Sequence, residues 1–392
     1  MGILKVVVCT MGRISTFRSY QFILLVAATL AVAAFYYFGS ERQNFSSTTK
    51  RIKQSQSSYN TNRNDADLTL DTRLTDQPHE HGEQGGEDTG ALVDPHFHVL
   101  MMFTKIDKNR SLQEKFRVAM LSMVKHGDFL EEEVLVLHFV SDPASQELGQ
   151  RMLQEVLLDA TFQYEVVFHD VVDLTHKLFP IVEAMQKYFS AGSGAYYSDA
   201  IFFLSVAMHH IMPQNLTRIV QVDLDLKYRT NIRDLFQQFD HFPRGQSWAS
   251  PERCSPSTAH IHTFWQYRKE NPSTRVGEPP PDGLPGFNSG VILLDLRAMR
   301  ASALYNRLLE PGNVAKLADQ YRFRGHLGDQ DFFSMIGMQH PELFYVLACG
   351  WNRQLCTWWR EHGYREVFQL YYRCDGPIYI YHGNCNTAVP DD

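Results

Sequence analysis

Two acidic residues interrupt an apolar stretch of the chain, at a spacing that suits the binding of one cation. In "RIVQVDLDLKYRTNI", residues 218–232, Asp223 and Asp225 stand at alternate positions. In a β-strand such positions face the same side and lie roughly 7 Å apart, so both carboxylates can point toward one ion. A half-solvated strand or its last turn explains the pair equally well, because a lone D-x-D motif is weak. The segment therefore predicts a strand with two potential metal ligands.

Three later segments also place polar residues beside turns or helix starts. They are "GLPGFNSGVILLDL" (283–296), "GHLGDQDFFSMI" (325–336) and "YHGNCN" (381–386). Each has a purely structural interpretation. Turn chemistry explains Gly290, Asp329 can cap the helix that follows it, and a single histidine such as His382 is more often packed than bound to a metal. Taken one at a time, these segments do not predict a function.

The overall composition bounds the classes of protein to consider. The 392 residues include 44% hydrophobic residues, enough for one large domain or two ordinary ones. The net charge is −7 and no long basic run occurs, which argues against a nucleic-acid-binding surface. A G-x-G-x-x-G fingerprint is also missing from the sequence, which disfavours a dinucleotide-binding enzyme.

The N-terminal part predicts a membrane anchor. Residues 22–38 carry no charge and span roughly 25 Å as a helix, enough for a thin bilayer. A cleaved signal peptide is the alternative, but the apolar run continues past the possible cleavage site. We expect residues 1–21 to be a cytosolic tail, residues 39–94 a flexible stem poor in apolar side chains, and residues 95–392 a lumenal catalytic domain.

Cysteine positions agree with a lumenal location. Four cysteines fall near the C-terminus: Cys349, Cys356, Cys374 and Cys385. They predict two disulfides in an oxidising compartment, with three possible pairings, whereas a zinc site is disfavoured because no C-x-x-C pair occurs. Cys254 is left as an odd thiol. The residues that begin N-x-S/T sequons, and so are potential glycosylation sites, are Asn44, Asn109 and Asn215.

Strands and helices alternate from His96 onward. Apolar runs predict strands at 96–105, 133–142 and 164–171, and helical spacing predicts helices at 112–124, 145–158 and 198–212. This alternation indicates an α/β fold with a parallel sheet. In such sheets ligands bind beyond the carboxyl ends of the strands, which is where we expect Asp223 and Asp225 to lie.

The motifs in their order resemble the retaining glycosyltransferases of family 8. These are a D-x-D after a βα region, an F-N-S-G strand start, a G-D-Q-D helix start and a terminal H-G-N. The resemblance runs from about His96 to the C-terminus and implies a GT-A fold, α/β with a mostly parallel central sheet, a nucleotide-sugar donor and a divalent cation. A non-catalytic, membrane-tethered carbohydrate-binding or chaperone-like protein is the alternative from another class.

Further segments resemble one xylosyltransferase branch of that family. Among them are "LFPIVEAMQKYFSAG", "HTFWQYRKENPSTRVG" and "WNRQLCTWWR". That branch transfers xylose from UDP-xylose in α1,3 linkage onto the xylose of a xylosyl-glucose disaccharide, which is O-linked to EGF-like repeats such as those of Notch. Its members are single-pass type II proteins of the endoplasmic reticulum membrane, and a homodimer is conceivable. UDP-glucose or UDP-galactose is the alternative donor, because one hydroxymethyl group contributes only about 1–3 kcal/mol of discrimination.

The resemblance also implies roles for individual residues. Asp223, Asp225 and His382 would hold Mn²⁺, with Mg²⁺ as a possibility, and Gln330 and Asp329 would be catalytic. The residues implied to bind the donor are Met102, Phe103, Thr104, Asp223, Leu224, Asp225, Asn288, Ser289 and Leu327. The residues implied to bind the acceptor are His262, Thr263, Phe264, Trp265, Gln330, Trp358, Trp359 and Asn384.

One segment departs from the family pattern. After Phe242 the family continues with an apolar strand that helps to build the acceptor side, whereas residues 243–261, "PRGQSWASPERCSPSTAHI", are rich in Ser and Pro. We therefore expect this strand to be replaced here, with a consequence for activity.

Overall fold

The computed structural model describes residues 95–190, 200–243, 245–251, 264–278, 282–284, 286–323, 325 and 327–391. The predicted tail, the predicted anchor at 22–38 and the predicted stem lie outside these ranges, as do Asn44, Cys254, His262 and Thr263. Within the described ranges, no helix combines the length and the apolar character that a membrane span requires. The anchor therefore stays a prediction from the sequence.

Ten strands are described. They are β1 (His96–Phe103), β2 (Val134–Ser141), β3 (Gln163–Asp170), β4 (Arg218–Val222), β5 (Leu226–Tyr228), β6 (Trp248–Pro251), β7 (Val291–Asp295), β8 (Phe344–Leu347), β9 (Arg353–Gln354) and β10 (Ile380–His382).

The described α-helices lie mainly between these strands. They are α1 (Arg110–His126), α2 (Pro143–Val156), α3 (Val171–Lys177), α4 (Phe179–Phe189), α5 (Met208–Ile211), α6 (Ile232–Phe236), α7 (Trp265–Glu270), α8 (Leu296–Ala301), α9 (Ala303–Leu308), α10 (Pro311–Gln320), α11 (Asp329–Gln339), α12 (Trp358–Glu361) and α13 (Phe368–Tyr372). Single turns of 3₁₀-helix occur at Ile106–Lys108, Ala200–Phe203, Ser205–Ala207, Gln237–His241, Pro341–Leu343 and Cys349–Asn352.

A seven-stranded mixed sheet forms the centre, in the order β3-β2-β1-β4-β7-β6-β8. All neighbours are parallel except β7, which runs antiparallel to both β4 and β6. Apolar side chains cover both faces, with Phe103, Phe116 and Phe139 packed on one face and Trp248 and Phe344 on the other. Burial on both faces explains the continuous apolar runs of the first strands. The predicted α/β fold with a mostly parallel sheet is confirmed.

A second, three-stranded sheet has the order β5-β10-β9. Strand β10 lies in its middle, antiparallel to β5 and parallel to β9. Two disulfides, Cys349–Cys374 and Cys356–Cys385, close the loops around this sheet. They select one of the three possible pairings and exclude the zinc alternative, because all four thiols are oxidised.

Local elements differ from the sequence predictions in two places. The prediction of one continuous helix at 198–212 was wrong, because the structure has two 3₁₀ turns followed by the short α5. The expectation that the segment 243–261 lacks a strand was also wrong, because Trp248–Pro251 forms β6 between β7 and β8. Trp248 and Ala249 are fully buried, so two apolar residues are enough to place this strand in the sheet.

Both described sequons lie at the surface. Asn109 precedes α1, and its side-chain oxygen accepts a hydrogen bond from the backbone N–H of Leu112, which caps the helix. Asn215 lies in the exposed turn before β4. Their glycosylation stays a prediction.

Candidate active site

The two acids lie where the chain passes from the large sheet to the small one. Strand β4 ends at Val222 and β5 begins at Leu226, so Asp223 and Asp225 stand between two strands and not within one, as the sequence had suggested. The N–H of Asp223 donates to Gly290 O at 2.9 Å, and Asp225 O accepts from the N–H of Gly383 at 2.8 Å. The backbone of Asp223 is therefore held by the F-N-S-G motif, and the backbone of Asp225 is held by the terminal H-G-N motif.

The imidazole of His382 completes a cluster of three potential ligands. Its Nε2 atom lies 3.1 Å from Asp225 Oδ1 and 3.4 Å from Asp223 Oδ2. One ligand atom from each residue falls within 4.8 Å of the other two. Since β10 pairs with β5, the register places His382 opposite Leu226, next to the acids. The structure thus brings together residues that are far apart in sequence.

A buried asparagine orients the histidine. The Oδ1 atom of Asn352 lies 2.8 Å from His382 Nδ1, and a side-chain amide oxygen can only accept, so Nδ1 carries the proton. In the neutral ring this leaves the lone pair of Nε2 facing the two carboxylates, which is unfavourable unless a metal cation lies between them or Nε2 also takes up a proton. Two hard oxygen ligands and one imidazole fit a divalent metal ion such as Mn²⁺.

Electrostatics at the cluster differ between the two acids. Loss of bulk water raises the pKa of Asp223, although half of its side chain still opens into the cleft. For Asp225 burial acts in the same direction, but it is outweighed by His382 and Lys115, which lower the pKa to about 2. The pKa of His382 is raised, because the two acids outweigh its burial. The trio thus has a strong affinity for positive charge.

Lys115 places a positively charged side chain next to Asp225. Its Nζ atom lies 3.4 Å from Asp225 Oδ2 and donates to Gly383 O at 2.8 Å. Lys115 projects from α1. It contacts Oδ2 of Asp225, whereas Oδ1 of the same carboxylate faces His382. The sequence analysis missed Lys115, because a lysine in an amphipathic helix carries no local signal of function.

The F-N-S-G and G-D-Q-D motifs form a connected wall beside the cluster. Gln330 Oε1 accepts hydrogen bonds from Asn288 Nδ2 at 2.9 Å and from the N–H of Ser289 at 3.3 Å. The hydroxyl groups of Ser289 and Ser205 donate to the two oxygens of Asp329 at 3.0 and 2.5 Å. These contacts fix the amide of Gln330 and the first residue of α11 in place.

Asp329 is almost fully buried in this wall. Burial raises its pKa to about 6, against the opposing effect of its two serine donors. Its carboxylate accepts bonds from Ser205 and Ser289, and the N–H of Ser289 in turn bonds to Gln330, so Asp329 holds this wall in place; its catalytic role stays a prediction.

A cleft of about 660 Å³ opens over these groups, which is a typical size for a small-molecule site. Twelve of the predicted site residues line it. They are Met102, Asp223, Leu224, Asp225, Asn288, Ser289, Leu327, Asp329, Gln330, Trp359, His382 and Asn384. The cleft is also lined by Lys115 and Gln221, which the sequence analysis did not select.

Several predicted contacts lie elsewhere. The side chain of Phe103 is fully buried on the face of β1 opposite to Met102, and Thr104 does not line the cleft. Phe264 is fully buried against Phe323, so its predicted contact with an acceptor is wrong for this conformation. Trp265 and Trp358 are exposed but do not line the cleft, while His262 and Thr263 lie outside the described residues.

Comparisons with known proteins find similar chains. No protein-family model matches the chain. It is 57% identical over 383 residues to Xyloside xylosyltransferase 1 of Mus musculus and 56% identical to that of Homo sapiens, with 97% of each chain covered. The crystal structure of mouse Xyloside xylosyltransferase 1 in its apo form superimposes with a TM-score of 0.70 at 62% identity, covering 75% of this chain and 99% of that one.

Proposed function

The chain belongs to the xyloside xylosyltransferase family, and from this premise we propose that it transfers xylose from UDP-xylose, with retention, in α1,3 linkage. The acceptor in this proposal is the xylose of a xylosyl-glucose disaccharide O-linked to EGF-like repeats, Notch among them. The proposal includes Mn²⁺ as the cofactor, with Mg²⁺ as a weaker substitute.

The convergence of Asp223, Asp225 and His382 at the floor of the cleft is the observation that carries the proposal. A nucleotide diphosphate needs positive charge to bind and to depart, and these residues would hold the cation that provides it. When bound, Mn²⁺ supplies Lewis-acid charge for the leaving diphosphate. Lys115 adds a second positive charge from the side of α1.

Retention of configuration agrees with the fixed amide of Gln330. An amide is a poor nucleophile, and its oxygen already accepts from Asn288 and Ser289, so we propose no covalent glycosyl-enzyme. The acceptor hydroxyl then attacks the anomeric carbon on the face that UDP leaves. An oxygen of the departing phosphate takes the hydroxyl proton, which removes the need for a protein base.

The acceptor side of the proposal rests on the rim of the cleft. Trp359 lines the rim, and the ring of Trp358 stands at 89° to it with 4.6 Å between centroids. Asn384 also lines the cleft, and its Oδ1 accepts from the N–H groups of Leu355 and Cys356, which fixes its position. Flat aromatic rings next to fixed amides are suited to sugar surfaces.

Residence in the endoplasmic reticulum membrane is part of the proposal. The apolar segment 22–38 would be the type II anchor, with the catalytic domain in the lumen. The two disulfides fit an oxidising compartment.

Turnover of three donors tests the proposal. The full chain is assayed with UDP-xylose, UDP-glucose and UDP-galactose, Mn²⁺ and an EGF-like repeat that carries xylosyl-glucose. We expect UDP-xylose to react fastest and chelation of Mn²⁺ to abolish turnover. Asp225→Asn should do the same, whereas Asp240→Asn, which removes an exposed acid paired with Arg218, should not.

Two other results would favour the alternatives. Faster turnover of UDP-glucose or UDP-galactose would change the donor. Metal binding without turnover of any of the three would support a carbohydrate-binding protein in place of an enzyme.

A further inference from the structure

Gln221 is a polar residue in an apolar position. It lies in β4, two residues before Asp223, and only 4% of it is exposed. Its partners in the sheet are Leu100 of β1 and Ile292 of β7, both of which belong to the hydrophobic core on that face. An amide is costly in such surroundings unless its polar atoms are hydrogen-bonded.

Only one half of this amide has a partner among the residues that the structure describes. Gln221 Nε2 donates to Asp329 Oδ2 at 3.4 Å, and this carboxylate fixes the orientation of the amide. The carbonyl oxygen, Oε1, is buried and has no hydrogen-bond partner among the described residues. Gln221 nevertheless lines the cleft, so a small turn of the amide would bring Oε1 within reach of a hydrogen-bond donor on a molecule bound there.

The chemistry of a nucleotide sugar indicates which of its groups can donate a hydrogen bond to Gln221 Oε1. The diphosphate of a nucleotide sugar carries no hydrogen near neutral pH and cannot donate to a carbonyl. Sugar hydroxyls can both donate and accept. Gln221 also contacts Asp329, which holds Ser289 beside Gln330, and this places Gln221 on the sugar side of the acid pair.

We propose that Gln221 Oε1 accepts a hydrogen bond from a hydroxyl group of the donor's sugar, which makes Gln221 a specificity-determining residue. This inference rests on the proposed function. A site that is built to hydrogen-bond a hydroxyl discriminates strongly against a substrate without it, because the buried polar group is then left unpaired.

Replacement of the amide by an apolar side chain of similar shape tests the inference. For Gln221→Met we expect the Kd of UDP-xylose, measured by titration calorimetry with Mn²⁺, to rise about tenfold, the usual contribution of one hydrogen bond. The Kd of UDP should stay within about twofold of wild type, since UDP lacks the xylose whose hydroxyl the amide is proposed to bind. Gln246→Met is the matched control, because Gln246 Oε1 also lacks a described partner but the residue does not line the cleft.

Donor analogues complete the test and cover a variant that does not fold. UDP-xylose analogues in which one sugar hydroxyl is replaced by hydrogen are titrated into the wild-type chain. One analogue should bind about tenfold more weakly, and Gln221→Met should cause no further loss for that analogue.

Two outcomes overturn the inference alone. The first is an equal loss of affinity for UDP and for UDP-xylose in Gln221→Met. The second is a Gln221→Met protein that binds UDP-xylose as the wild type does, together with a wild-type chain that binds every analogue as tightly as UDP-xylose. If the wild-type chain neither binds nor turns over UDP-xylose, the proposed function fails as well.

Discussion

The imidazole of His382 lies directly against Gly290, so closely that a β-carbon on Gly290 would come within 2.4 Å of His382 Cε1. The same β-carbon would lie 2.9 Å from Asn288 Oδ1. Gly290 also accepts the backbone hydrogen bond of Asp223. A glycine is therefore required here for close approach, and it connects the turn before β7 with two of the three metal ligands.

Gly290→Ala should weaken metal binding without unfolding the chain. The added methyl group displaces His382 from Asp225, and loss of such positioning typically costs about 10–100-fold in metal affinity. Titration with Mn²⁺ measures the effect. Gly312→Ala is the control, since no atom lies within 4 Å of the corresponding β-carbon. Unchanged Mn²⁺ affinity in a folded Gly290→Ala protein would contradict the assignment of His382.

Lys115→Met should weaken the binding of UDP and UDP-xylose to the same extent. Lys115 is only 20% exposed in its side chain and lies beside Asp225, where the diphosphate would bind. A hydrogen bond to a charged group contributes about 1.5–3 kcal/mol, so we expect both Kd values to rise by about 10–100-fold. Arg117→Met on the same helix removes a solvent-exposed charge paired with Glu155, and should have no effect. A loss confined to UDP-xylose would show that Lys115 contacts the sugar instead.

The two disulfides should differ in their effect on the metal site. Cys385 lines the cleft, two residues after Gly383, and pairs with Cys356, whose N–H is bonded to Asn384. Replacing both cysteines by alanine should lower the free energy of unfolding by about 2–4 kcal/mol and also weaken Mn²⁺ binding.

The other disulfide provides the matched control. Cys349 and Cys374 close a loop of similar length, 25 residues against 29, but do not line the cleft. Their replacement should lower stability by a similar amount and leave Mn²⁺ affinity intact. Equal losses of affinity in the two double variants would mean that the disulfides act only on global stability.

A row of three histidines predicts a loss of stability in acid. His138 on β2 bonds through Nε2 to His98 Nδ1 at 2.9 Å and through Nδ1 to His169 Nε2 at 3.0 Å. Burial, together with its two histidine neighbours, lowers the pKa of His138 from 6.5 to about 3. The unfolded chain therefore binds a proton below pH 6.5 that the folded chain does not bind until about pH 3.

This difference has no effect on stability above pH 6.5, where His138 is neutral in both states, and it destabilises the fold progressively as the pH falls toward 3. At pH 5 the contribution of His138 to the free energy of unfolding should already be about 2 kcal/mol lower than at pH 7. Urea unfolding at the two pH values measures it. His138→Gln should show a smaller difference between the two pH values, while His241→Gln at an exposed position should behave as wild type. An identical pH dependence in His138→Gln would refute this account.

Local patterns in the sequence predicted the first half of the central sheet well. Strands β1, β2 and β3 and helices α1 and α2 begin and end within a few residues of the predictions, because apolar runs and helical spacing are local signals. The alternation around Asp223 predicted a longer strand than is present. Where β4 ends, the backbones of the two acids bond instead to Gly290, just before β7, and to Gly383, just after β10.

The convergence of the three proposed metal ligands could be predicted because each lies in a short motif, whereas the residues that support them could not. Asn352 orients His382 and also donates to Asn288 Oδ1 at 2.8 Å, yet the segment "WNRQLCTWWR" that contains it does not indicate that this residue supports a ligand. In the sequence, Gln221 is an ordinary polar residue on one face of a strand. Only its contact with Asp329 in the structure marks it as part of the site. Such residues act through contacts between distant parts of the chain, which composition and periodicity do not encode.

The placement of β10 between β5 and β9 has a consequence for biosynthesis. A ribosome completes Asp225 157 positions before His382, so the nascent chain carries the acid pair long before the imidazole exists. Contacts between such distant segments form late and slowly. Any ion that Asp223, Asp225 and His382 hold together can therefore be bound only once β10 has paired with β5.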